Sequence, residues 1–83
     1  MVGKVVRSAA GRDRNRLMVI TGQTAHHLLV CDGKERRLER PKRKNPKHVL
    51  FTEYCIEPEQ FETNRRLKKA LKAIESYGFK EEK

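Results

Sequence analysis

A mainly β fold is predicted from this sequence: a small barrel of five short strands followed by a C-terminal amphipathic α-helix. Three observations predict it. Up to residue 52, short apolar runs alternate with turn residues every several positions, the spacing of a small all-β unit. After Tyr54 the period changes, and Leu67, Ala70, Leu71 and Ile74 recur at helical spacing. The charge divides close to the same place. Thirteen Lys or Arg against four acids lie between Met1 and His48, and seven of each between Val49 and Lys83, so the whole net charge of +9 belongs to the strand half. The chain is accordingly read as a barrel over residues 1–53 and a helical extension with a frayed tail over 54–83.

The elements follow in order. Gly3 to Ala9 carries β-branched Val5 and Val6 with a polar position on each side, which suits a first strand. Ala10 to Asn15 is a polar loop in which Gly11 and Asn15 take the bends, with Asp13 as a further turn former. Arg16 to Thr21 contains four consecutive apolar residues, the mark of a central, well-buried strand. Gly22 to Ala25 suits a hairpin connection, and His27 to Cys31 a third strand. Asp32-Gly33 follows directly and predicts a type I′ hairpin turn, with Glu35 to Leu38 as the returning edge strand. Arg40 to Pro46 has no apolar side chain to bury apart from its prolines, so it is expected to be an exposed basic loop. His48 to Thr52 returns to strand character and is expected to close the barrel by pairing with the first strand. A main helix is placed from Thr63, its N-cap, to Ser76, with Gly78 as the C-cap, Glu57 to Glu62 as a separate turn and Glu81 to Lys83 loose.

Size and composition narrow the function. Eighty-three residues support one core, and a chain this short buries only about 60% of its unfolded surface. The sequence has no apolar stretch of membrane-spanning length and no secretory signal pattern, so a cytoplasmic location is expected. Cys31 and Cys55 have no metal-ligand spacing and are read as small buried hydrophobes. No nucleophile-base pair, phosphate-binding glycine loop or paired carboxylate occurs in the strand half, so neither catalysis, a cofactor, a metal nor a small-molecule substrate is expected.

A sequence pI near 10 points to a polyanion. Because the excess charge lies in loops and strands rather than on an amphipathic helix, nucleic acid is favoured over a membrane surface. Arg7, Arg12, Arg14 and Arg16 surround the first loop; Lys34, Arg36, Arg37, Arg40, Lys42, Arg43, Lys44, Lys47 and His48 crowd a second region, and a barrel can bring both to one surface. Arg suits bidentate phosphate contacts and Lys acts as a point charge. RPKRKNP contains no acid, whereas charge kept for solubility is normally mixed in sign. With about six phosphates neutralised, log affinity falls with log salt at a slope of roughly −4 to −5. Phe51 and Tyr54 are read as packing residues rather than base platforms, which favours backbone and shape recognition. His26 and His27 lie near a hairpin, where at most one points inward.

The segment Gly3 to Ile20, GKVVRSAAGRDRNRLMVI, resembles the KOW motif, a strand-loop-strand element of ribosomal proteins and transcription elongation factors. Gly11 stands at the near-obligatory loop glycine of that family, and Leu17 to Ile20 at its second strand. Where the family often has a second glycine flanked by lysines, this chain has Arg14-Asn15-Arg16, and Asn is the residue best able to replace Gly at positive φ. With Cys31 to Lys34 and Pro41 to His48 included, the chain from Val2 to Thr52 looks like the small bacterial KOW-domain RNA-binding proteins, themselves similar to a large-subunit ribosomal protein of archaea and eukaryotes. The resemblance implies an SH3-like barrel that binds RNA, most often large-subunit rRNA, with neighbouring ribosomal proteins as further partners. A KOW-type protein-interaction module of the transcription or translation machinery is the alternative it leaves open. For the helix two roles are open: Leu67, Leu71 and Ile74 cover an open end of the barrel, or the arc of Arg65, Arg66, Lys68, Lys69 and Lys72 faces RNA while the apolar stripe meets a partner protein.

Overall fold

Alternation along the strands decides this architecture, because neighbouring residues of the longest apolar run go to opposite faces of one sheet. The computed structural model describes residues 2–76. β1 (Lys4–Ser8), β2 (Leu17–Gln23), β3 (Leu28–Cys31), β4 (Lys42–Lys44) and β5 (Val49–Cys55) form a five-stranded antiparallel sheet in the order β4-β3-β2-β1-β5. Single 3-10 turns at Pro46–His48 and Pro58–Phe61 lead into β5 and into the helix α1 (Asn64–Ser76).

Val5, Leu17, Val19 and Cys31 share one face, where Ile56 and the helix residues Leu67, Leu71 and Ile74 bury them. Val6, Met18, Ile20, Leu28, Val30 and Val49 share the other, with Phe51 packed against them. The helix packs only against the first face, so the second must be covered by the sheet's own curl. The link between the edge strands requires the same curl. Asn45 and the 3-10 turn Pro46–His48 alone separate β4 from β5. Such a link reaches about 13 Å, whereas the edges of a flat five-stranded sheet stand about 19 Å apart. The sheet nevertheless stays open. β5 pairs with β1 as expected, through Val6↔Phe51 and Arg7↔Leu50, but no ladder joins β4 to β5 among the described residues, so the barrel is not closed.

Two strand assignments are corrected. Glu35 to Leu38 is not a strand. The Asp32 carboxylate accepts hydrogen bonds from the backbone N–H of Lys34 (2.9 Å) and Arg36 (2.8 Å), and the Asp32 and Gly33 amides donate to the Arg36 carbonyl, which winds this segment into a tight loop. A type I′ turn needs positive φ at both central residues, and here only Gly33, at 79°, has it. The fourth strand comes from the segment expected to be a basic loop. Lys42–Lys44 pairs antiparallel with β3, its two lysines turned inward and Arg43 exposed between them. Cys55 is also corrected: it is exposed, and only Cys31 is buried.

The helix starts as expected, with the Arg66 amide donating to Thr63 Oγ1 at 3.1 Å and Leu67 N–H to the Thr63 carbonyl at 3.0 Å. The separate turn expected over Glu57–Glu62 is the 3-10 turn at Pro58–Phe61. Gly78 and Glu81–Lys83 lie outside the described residues. Leu38 N–H donates to Asn64 Oδ1 at 2.7 Å, tying the loop after β3 to the helix start. A Cβ on Gly33 would lie 2.5 Å from the Asn64 carbonyl oxygen, so helix and loop touch backbone to backbone here. Gly33→Ala therefore combines a left-handed φ with a steric overlap, and is expected to lower unfolding free energy by about 1–3 kcal/mol in urea titration.

Candidate nucleic-acid interface

The first basic loop is built by two residues at positive φ, Gly11 at 86° and Asn15 at 71°, as the sequence predicts for both. Asn15 N–H donates to the Ser8 carbonyl (2.7 Å), and Arg16 N–H to the Asp13 carbonyl (3.0 Å), which closes the loop across β1 and β2. This path turns the Asp13 side chain inward. The expected turn former is instead a buried carboxylate, 7% exposed. Its Oδ1 accepts from Ser8 Oγ (2.8 Å) and Lys44 Nζ (2.8 Å), and its Oδ2 from Lys42 Nζ (3.1 Å).

Lys44 is 6% exposed and donates a further hydrogen bond to the Ala10 carbonyl at 2.7 Å. Ala9 N–H donates to the His48 carbonyl at 2.8 Å on the same side. The two basic segments are therefore fastened together by two lysines on one acid, by the Lys44–Ala10 bond and by a backbone bond. Burial opposes ionisation of Asp13, but the hydrogen bonds from Lys44, Ser8 and Lys42 outweigh it and hold the carboxyl well below the usual carboxylate range. One negative charge meets two positive ones, so the junction itself stays cationic.

The predicted basic residues separate into two groups. Arg12 and Arg14 on the first loop, and Arg43, Lys47 and His48 on the second segment, are exposed beside this junction. Asn45 shapes the second segment, its Oδ1 accepting from Lys47 N–H at 2.9 Å. Lys34, Arg36 and Arg40 are exposed on the loop after β3, and Arg7 is half-buried on β1. The others are used by the fold. Lys44 and half-buried Lys42 serve Asp13, so Lys44 is not available at the surface. Arg16 pairs with Asp32 at 3.0 Å and Glu35 at 3.2 Å, and Arg37 with Glu39 at 3.2 Å.

Asp32 keeps its expected place as a turn former and also holds Arg16. Burial raises its pKa, while the Arg36 and Lys34 amides and the Arg16 guanidinium lower it further, leaving a net depression. The Asn64 amide and then Arg37 likewise depress Glu39. Phe51 and Tyr54 are half-buried against the two apolar clusters, the packing role expected of them. The buried joining role of Asp13, and Ser8 as its partner, are not foreseen from the sequence, which marks Asp13 only as a turn former. The available signal was a single acid flanked by arginines in the most basic loop.

The remaining chemistry is sparse. Burial pushes the Cys31 thiol up, which disfavours a reactive thiolate there. Among the described residues no group of three His, Cys, Asp or Glu side chains is placed to hold a metal ion, and no helix is long and apolar enough to cross a membrane. No protein-family model matches this chain, and no curated protein gives a significant match.

Proposed function

We propose that this chain is a non-enzymatic RNA-binding protein of SH3-like, KOW type that grips the RNA backbone through its two basic segments, with large-subunit rRNA in the cytoplasm as its target. The observation that carries this reading is the Asp13 junction, which joins two cationic segments remote in sequence into one surface. Rigidity matters because side chains already held in place lose less entropy on meeting phosphates. The strand order, the pairing of β5 with β1 and the 3-10 turn between the edge strands support the SH3-like part of the proposal. Backbone contact rather than base reading fits the half-buried positions of Phe51 and Tyr54.

The test uses exposed residues only, since replacing Lys44 would disturb the fold. Combined Arg12→Ala, Arg14→Ala, Arg43→Ala and Lys47→Ala is expected to abolish co-sedimentation with ribosomes in moderate salt. In titrations with a labelled RNA hairpin, the same variant should make the log-affinity against log-salt plot shallower by roughly 3. Undiminished co-sedimentation of a variant that circular dichroism shows to be folded would refute the proposal.

A further inference from the structure

We infer that the groove between α1 and the first basic loop is a second site for the RNA backbone, in which Lys68 and Lys72 hold phosphates. This rests on the RNA-binding reading and extends it to an element outside the two basic segments. The groove has a volume of about 530 Å³, within the range of ligand-sized clefts. Five cations line it, Arg14, Arg16, Lys34, Lys68 and Lys72, against two acids, Asp32 and Glu75. Asp32 is taken up by Arg16, so the lining keeps a surplus of positive charge.

Three parts of the chain build this groove. Arg14 comes from the first loop, Lys34 from the loop after β3, and Lys68 and Lys72 from successive turns of α1. The two lysines lie about 6 Å apart along the helix axis, a spacing suited to neighbouring phosphates of one strand. Leu17 and Leu71, both nearly buried, contribute the apolar part of its lining. A Cβ on Gly33 would lie 3.2 Å from Lys68 Cγ, so the lysine stem runs directly over the glycine. The helix thus covers the sheet with its apolar stripe and still offers part of its cationic arc to the groove. Leu67, Leu71 and Ile74 bury against the sheet, and Lys68 and Lys72 extend the cationic surface that begins at Arg14.

The helix offers its own control, because Arg65 and Lys69 are exposed on α1 but do not line this groove. Full-length protein is titrated with a fluorescein-labelled RNA hairpin across a salt series. Lys68→Ala with Lys72→Ala should make the log-log salt slope shallower by roughly 1.4–1.8, the release of two phosphate contacts. Lys68→Arg with Lys72→Arg should restore it. Arg65→Ala with Lys69→Ala removes the same charge and should leave the slope unchanged. If the two alanine pairs shift the slope equally, or neither shifts it while the wild type binds, the groove is not a phosphate site and the RNA reading stands without it. If the wild type binds no RNA, the reading beneath the inference fails with it.

Discussion

Asp13→Asn is expected to remove about 3–5 kcal/mol of unfolding free energy, the cost of leaving a buried charge without its partner. Asn keeps the shape of the side chain but not its charge. Lys44, 6% exposed, would then hold an ammonium against a neutral amide and the Ala10 carbonyl. Against a total stability of about 5–15 kcal/mol for a domain, this loss leaves a marginal fold. Urea denaturation followed by circular dichroism measures it. Removing both charges together, as Asp13→Leu with Lys44→Met, should recover most of the loss, because half-buried Lys42 can turn its ammonium to water and no unpaired charge remains inside. A loss below about 1 kcal/mol for Asp13→Asn would mean that water, rather than Asp13, stabilises the Lys44 ammonium.

The same group sets the response to acid. Its folded pKa lies below the value near 3.9 of an unfolded Asp, so its contribution is complete about a unit above that value and is lost as pH falls through it towards the folded one. Asp32 is depressed in the same direction and adds to the trend. Wild-type stability should therefore fall as pH drops below about 5, and less steeply in Asp13→Asn. Protonating Asp13 also releases both lysines. The two basic segments then keep only the Lys44–Ala10 and Ala9–His48 hydrogen bonds between them.

Which parts of the fold the sequence revealed follows from how local their causes are. Strands β1, β2, β3 and β5 announce themselves because they bury apolar residues, and the run Leu17 to Ile20 is continuous because both sheet faces are covered. The left-handed bend at Asn15 and the Thr63 cap are likewise properties of a few adjacent residues. β4 is different. Its inward positions are lysines, and what satisfies them is a carboxylate 29 and 31 residues earlier in the chain. No local pattern distinguishes such a strand from a solvated basic loop. The basic surface was legible as composition, but its assembly was not, because Asp13 in isolation reads as one more polar turn residue. Gly33 reads locally as a turn glycine, yet its close approach to the helix depends on Asn64, far along the chain.

Leu67→Ala should cost about 2–5 kcal/mol and lower the melting temperature by roughly 10 °C or more. Leu67 is fully buried in the cluster that joins α1 to Val5, Leu17, Val19 and Cys31. A helix of 13 residues is marginal by itself, so its order depends on this contact, and the sheet face beneath depends on it in turn. The two cysteines make the effect local and measurable. In the wild type, exposed Cys55 should react quickly with a thiol reagent and buried Cys31 slowly. Leu67→Ala should accelerate the slow phase, whereas Lys69→Ala, on the exposed arc, should leave it alone and change stability by no more than about 0.5 kcal/mol. If the slow phase and the melting temperature were indifferent to Leu67→Ala, α1 would be an appendage, and Lys68 and Lys72 would have no fixed position beside Arg14. Coupling the helix to the sheet and placing its cations beside the first loop are one structural fact, so the stability of α1 and the geometry of the basic groove should fail together.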